Sequence, residues 1–130
     1  FVHLFYQNCK PISSDYSILA PVFRAIKMKS LYRIKANLLT RTPKIIENEF
    51  HYDVSDFTPE QAKHWTTSIL YINSNNGYTK FETGEKIESV ENRLVTFPAN
   101  LKHTGSSCSD EKVKIVINFN YLIKNEIVSA

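Results

Sequence analysis

"KVKIVINFNYLI", residues 112–123, decides the fold. Val113, Ile115, Ile117 and Phe119 fall on one side of an extended chain, and Lys112, Lys114, Val116 and Asn118 on the other. This period of two marks a strand with one apolar and one polar face. Upstream, from Trp65 onward, the chain repeats the same unit. "TTSILYIN" ends at Asn76-Gly77, which suits a tight hairpin turn, "YTKFE" at Thr83-Gly84, "KIESV" near Glu91-Asn92, and "RLVTF" at Pro98. Short strands joined by turns indicate a sandwich or barrel of antiparallel strands.

The first half fits around that sheet. "SSDYSILAPVFRAIKMKS" reads as the one sizeable helix, with Ser13, Ser14 or Asp15 as N-cap and Pro21 either in its first turn or breaking it. "LYRIKANLL" alternates, Tyr32, Ile34, Ala36 and Leu38 against Arg33, Lys35 and Asn37, as a half-buried strand does. Thr40–Glu49 is a loop and "FHYDV" a short strand. "TPEQ" at 58–61 has the form of a capping box with Pro59 at the first helical position.

At 130 residues the chain suits a single domain, residues 1–130. Seven Tyr and eight Phe lean it towards sheet. A net charge of +3, with sixteen basic and thirteen acidic residues dispersed along the chain, is no nucleic-acid footprint, and the basic run Phe23–Lys35 is spaced as a solvated face. No apolar run is long enough to span a membrane. Cys9 and Cys108 are too few for a disulfide scaffold, so reduced thiols are expected, Cys108 as an inert surface thiol in a Ser-rich turn. No signal peptide and no Asn-x-Ser/Thr acceptor is visible, and a cytoplasmic location is the expectation. Oligomeric state is not legible.

Within "EFHYDVSD", residues 49–56, His51 and Asp53 stand two apart and so on one face of a strand. An isolated pair of this kind is more often a hydrogen-bonded surface pair than a site. A catalytic iron needs a third ligand on the same side, with positions left open opposite, and two His with one carboxylate meet that need. Of the other histidines, His3 lies near the terminus and His64 in the capped turn. His103, in "PANLKHTGSS", precedes the final strand and can return beside His51 and Asp53. A Lys of the final strand, if it faces a barrel interior, requires an anion, because a buried unpaired ammonium costs several kcal/mol or loses its proton. A dicarboxylate satisfies it, and Tyr71 can add a hydroxyl donor.

The run His51-x-Asp53, "ILYINSNNGYTKF", "ENRLVTFPANLKHTG" and "KVKIVINFNY" resembles the core of the Fe(II)- and 2-oxoglutarate-dependent oxygenases, in particular the prolyl-4-hydroxylase-like branch with its small viral and bacterial members. The resemblance covers Leu31 to Leu122, with the order of the pieces more telling than any one of them. It implies a mainly β double-stranded β-helix (jelly roll) with one N-terminal support helix. It also implies Fe(II) bound by His51, Asp53 and His103, and 2-oxoglutarate as cosubstrate, its distal carboxylate held by Lys114 or Lys112 with Tyr71. Lys114 is favoured, because Lys112 follows Asp110-Glu111 at the strand mouth. A Lys here offers a point charge and not the bidentate fork of an Arg. The expected reaction is hydroxylation of a small-molecule or peptidyl substrate with oxidative decarboxylation of 2-oxoglutarate to succinate. Substrate contacts are expected from Thr40–Glu49 and Ser55–Trp65. Two other readings stand beside this one: a non-catalytic jelly-roll binding or structural module, since fold does not fix function, and a cupin-type metal enzyme that dispenses with the keto acid.

Overall fold

The architecture comes from a computed structural model, which describes residues 1–7, 10–26, 28–54 and 56–123. Among the described residues the strands are β1 (Val2–Gln7), β2 (Lys10–Pro11), β3 (Met28–Thr40), β4 (Thr66–Tyr71), β5 (Tyr78–Phe81), β6 (Lys86–Glu88), β7 (Leu94–Pro98), β8 (His103–Gly105) and β9 (Val113–Ile123). Two short helices, α1 (Ala20–Ala25) and α2 (Pro59–Ala62), interrupt them.

The alternating stretch at 113–123 is the centre of the larger sheet, whose order is β2-β1-β3-β9-β4-β7. β9 pairs antiparallel with β3 along its whole length, from Thr40 opposite Val113 to Met28 opposite Ile123, and with β4 on its other edge. The smaller sheet has the order β6-β5-β8. Isolated bridges of Glu47 to Ser106 and His51 to His103 lay the segment 47–51 along the outer edge of β8. From β4 the chain enters the smaller sheet for β5 and β6, returns for β7, crosses again for β8 and returns for β9. Two facing antiparallel sheets visited in turn make the double-stranded β-helix, a mainly β fold.

The interior between the sheets is divided between a cavity with several polar lining residues and an apolar cluster, and a large part of the apolar core lies behind the larger sheet. Ile34 on β3 and Ile117, Phe119 and Tyr121 on β9 pack outward against Phe5, Leu19 and Ile26, with Tyr16, Val22 and Phe23 closing over them. The 3-10 turn at Tyr16–Leu19 and α1 therefore cover the sheet's back. A smaller cluster of Ile69, Tyr71, Phe81 and Phe97 joins the two sheets. A third, around Val54, Ala62 and Ala99, carries the aromatic trio Tyr32, Phe57 and Trp65.

Four local expectations are corrected. "FHYDV" is not a strand: among its residues only His51 makes a bridge, to His103, and Asp53 and Val54 lie in a turn. The sizeable N-terminal helix is a 3-10 turn at Tyr16–Leu19 followed by the six-residue α1, with Pro21 in its first turn, and by Ile26 the backbone is already extended. Proline has no N–H to continue the earlier turn, and the following residues are taken by β3; Lys27 lies outside the described residues. Asn76-Gly77 does not close a hairpin between β4 and β5, because those strands belong to different sheets. Residues 72–77 arch between the sheets instead, held by the Asn76 amide on Asp110 Oδ1 at 3.0 Å and by the Asn76 side chain, which donates to Ser109 Oγ at 2.8 Å. Cys108 is fully buried, its thiol donating to the Glu111 carbonyl at 3.4 Å; Cys9 lies outside the described residues.

Other local signals match. The β5–β6 hairpin turns at Gly84 with φ of 100°, and Asn92 takes φ of 68° before β7. The capping box closes α2 in both directions: the Thr58 amide donates to Gln61 Oε1 at 3.0 Å and the Gln61 amide to Thr58 Oγ1 at 3.2 Å.

Ile34, 0% exposed, is the centre of the outer core. Ile34→Ala is expected to lower the unfolding free energy by about 3 kcal/mol, read from urea denaturation, with metal affinity unchanged because the side chain points away from the interior.

Candidate metal centre and cavity

The β8 ladder explains how His51 and His103 meet. The His51 amide donates to the His103 carbonyl at 2.9 Å, and the His103 amide returns the bond at 3.0 Å. Directly paired residues of antiparallel strands carry their side chains on the same face, and the two imidazole centroids are 4.7 Å apart. Asp53, two residues beyond His51, places Oδ1 3.3 Å from His51 Nε2 and 3.1 Å from His103 Nε2. All three candidate ligand atoms lie within 4.8 Å of one another.

Burial alone pushes the Asp53 carboxyl up, but the bonds to His103 and His51, with the amide of Asn118, outweigh it and hold it well below the usual range. The bond to that carboxylate in turn raises the His51 imidazole. Asn118 Nδ2 donates to Asp53 Oδ2 at 3.0 Å, and Asn120 Nδ2, 3.5 Å from the same oxygen, also donates to Thr67 Oγ1 at 3.0 Å. Arg33 Nη2 holds the backbone carbonyl of Asp53 at 2.8 Å. Oδ2 is thus occupied by amides and Oδ1 faces the imidazoles.

This donor set fits a divalent transition metal. Ligand atoms bonded to one ion at about 2.1 Å sit roughly 3 Å apart when adjacent, which the two Asp53 contacts match. His51 Nδ1 lies 3.1 Å from the Glu49 carbonyl, so that nitrogen carries the proton and Nε2 keeps its lone pair for a metal. Two imidazoles with one carboxylate is the set used by non-haem Fe(II) sites that keep open positions. The His51 side chain is 50% exposed whereas Asp53 and His103 are each 4% exposed, so the cluster opens on the His51 side.

The cluster forms one end of a cavity of about 220 Å³, whose lining includes Lys35, Asn37, Thr79, Lys114, Val116 and Asn118. Lys114, 3% exposed, occupies the buried end. Its Nζ donates to the carbonyls of Ser106 at 2.7 Å and Tyr78 at 3.0 Å, and among the described residues no carboxylate comes within 4.0 Å of it. Burial pushes this ammonium down to about 8. Gly77 makes room for its stem: a Cβ there would stand 2.9 Å from Lys114 Cδ and 2.9 Å from the Ser107 carbonyl.

The structure thus separates the two lysines of the final strand. Lys112 is exposed and precedes β9, outside the cavity, while Lys114 lines it. Tyr71 is fully buried behind the wall, its hydroxyl donating to Thr79 Oγ1 at 2.6 Å; Thr79 is the group that reaches the cavity. The strand alternation at β3 is correct, but its polar side, Lys35 and Asn37 with Leu39, faces the cavity. Lys35, Thr79 and Asn48 are lining residues that the sequence reading does not single out. For Lys35 and Thr79 the signal lies only in their register, opposite Asn118 and Gly105. His3 bonds Ser13 Oγ at 2.9 Å and His64 is exposed, both away from the cluster.

No protein-family model matches the chain, and no curated protein does. Solved structures share its fold at low identity. A prolyl-4-hydroxylase from Pseudomonas putida superposes with TM-score 0.59 at 12% identity, over 95% of this chain and 72% of that one. A viral collagen prolyl hydroxylase from Paramecium bursaria Chlorella virus-1 gives 0.55 at 14%, over 94% and 75%. An RmlC-like cupin protein from Desulfovibrio desulfuricans gives 0.56 at 9%, over 93% and 80%. These likenesses establish a cupin-like double-stranded β-helix.

Removal of a ligand and removal of its support are expected to differ. In a Co(II) titration followed by visible absorption, His103→Ala loses more than 100-fold in affinity, and Asn118→Leu loses about 10–100-fold because Oδ2 is left unheld. Affinity in the wild type falls as pH drops, since the imidazoles must be unprotonated to bind.

Proposed function

We propose that the chain is an Fe(II)- and 2-oxoglutarate-dependent oxygenase that hydroxylates a small-molecule or peptidyl substrate. The observation that carries this reading is Lys114. It is a buried cation with only carbonyl partners, in the same small cavity as a two-His, one-carboxylate cluster. Asn118 and Lys114 are separated along β9 by a rise of about 13 Å, four residues of strand. A dicarboxylate between them can meet metal at one end and ammonium at the other. A cavity of about 220 Å³, below the roughly 300–1,000 Å³ of drug-sized sites, suits such a metabolite and leaves the primary substrate at the mouth.

Iron bound there supplies oxygen activation coupled to decarboxylation of 2-oxoglutarate to succinate and carbon dioxide. The remaining work belongs to the chain. Lys114 neutralises the distal carboxylate. Because the Tyr71 hydroxyl donates into Thr79 Oγ1, the Thr79 proton is free to be donated to that same carboxylate, so Tyr71 acts through Thr79. Asn118 and Asn120 fix Asp53, and the walls shield the Lys114 end of the cavity from water. Substrate contacts fall to the loop 40–49, where Asn48 already lines the cavity, and to residues 56–65; Ser55 lies outside the described residues. Among the described residues no helix is long and apolar enough to cross a membrane.

The test is succinate formation from 2-oxoglutarate by iron-reconstituted protein under air. Turnover is expected in the wild type and its loss in the His51→Ala/Asp53→Ala double variant. Iron binding without any dependence on 2-oxoglutarate binding would replace this reading with a cupin-type metal enzyme. The pH profile gives a second check. With Lys114 near 8 in the unliganded chain, it is charged below that pH and neutral above, so 2-oxoglutarate affinity falls as pH rises past about 8. Lys114→Arg, which stays protonated, is expected to remove that limb, and Lys114→Met to weaken affinity more than tenfold below about pH 8, with the difference from wild type narrowing above it.

A further inference from the structure

The cavity holds a second cation that the reaction as proposed does not use. Lys35 stands on β3 directly opposite Asn118, at the level of Asp53, whereas Lys114 lies four residues along β9, opposite Leu39. Both residues line the same cavity. Among the described residues no carboxylate lies within 4.0 Å of the Lys35 amine. The charged groups that act on it are Arg33 and Asp53. Arg33 donates to the Asp53 carbonyl and to Asn120, and the Asp53 carboxylate is taken by two imidazoles and Asn118.

Charge balance makes the surplus specific. A divalent ion, the Asp53 carboxylate, a doubly charged keto acid and the Lys114 ammonium cancel one another. Lys35 is then the uncompensated charge of a half-enclosed space, where an ammonium without a counter-ion is unfavourable. The half-exposed side of the metal cluster, at His51, is the side from which a substrate enters, and Lys35 acts electrostatically on His51. We infer that Lys35 binds a carboxylate of the primary substrate, and so selects acids and orients the substrate beside the metal centre. This rests on the oxygenase reading for its charge balance, and it narrows the substrate class to carboxylate-bearing molecules.

The test reads binding and not turnover. In protein loaded with Mn(II) and saturated with 2-oxoglutarate, the paramagnetic ion speeds proton relaxation of any molecule held near it. Two probes cover the two sources of a carboxylate: butyrate as a free acid and N-acetylglutamate α-amide as an acidic peptide side chain, each against its neutral amide, butyramide and N-acetylglutamine α-amide. At least one acid is expected to show several-fold greater relaxation enhancement than its amide; the acid that does so identifies the source. Lys35→Met is expected to erase the difference and Lys35→Arg to retain it. Equal enhancement of acids and amides in the wild type overturns the inference without any variant. If Lys35→Met instead weakens 2-oxoglutarate binding as strongly as Lys114→Met does, Lys35 is a cosubstrate group and the inference also falls. Failure of the oxygenase reading looks different: the wild type then shows no affinity for 2-oxoglutarate, a result read before any probe acid is added.

Discussion

A carboxylate buried inside a small barrel constrains everything around it. The Asp53 side chain is almost wholly buried, and taking an ionised acid out of water is favourable only when each oxygen finds donors. One oxygen has the amides of Asn118 and Asn120, and the other has two imidazoles. Those four partners come from β9, β8 and the edge segment that carries Asp53 itself. The register of both sheets is therefore tied to one side chain. In this arrangement both imidazoles face Oδ1 through Nε2, and a bound ion would stand between the three atoms.

This polar interior dictates where the hydrophobic free energy resides. Lys35, Asn37, Lys114 and Asn118 occupy the inner face of β3 and β9, so those strands bury their apolar residues on the opposite side. A sheet with an exposed apolar back is an association hazard, and here the 3-10 turn and α1 cover it, with Phe5 of the edge strand β1 adding to the same apolar face. Stability and chemistry are thus placed on opposite faces of the same two strands, and either face can change without direct contact with the other.

That division explains what the sequence reveals and what it conceals. In residues 113–123 the alternation correctly separates Lys114, Val116 and Asn118 from Ile117 and Phe119, because periodicity is a local property. His51-x-Asp53 is legible as a pair, but not by the strand alternation that suggested it: Asp53 lies in a turn, and the bonds from Arg33 to its carbonyl and from Asn118 to its carboxylate aim it at the imidazoles. Which face of β3 looks into the barrel is not local; Arg33, Lys35 and Asn37 have the pattern of a solvated edge, and only pairing with β9 turns them inward. Asn76-Gly77 has the chemistry of a tight turn, yet its destination is fixed by bonds to Ser109 and Asp110 more than thirty residues away. Tyr71 and Lys112 show the same limit: a hydroxyl and an ammonium of the right type and near the right strand, one a layer behind the wall and the other a residue short of it.

The central claim is that one cavity joins the His51, Asp53 and His103 cluster to Lys114 through a chelating keto acid. Anaerobic titration of the iron-loaded protein with 2-oxoglutarate, followed by visible absorption, tests it most directly. A charge-transfer band from a keto acid chelated to Fe(II) is expected, absent with succinate and requiring more ligand in Lys114→Met. Iron that binds with no such band at saturating 2-oxoglutarate contradicts it.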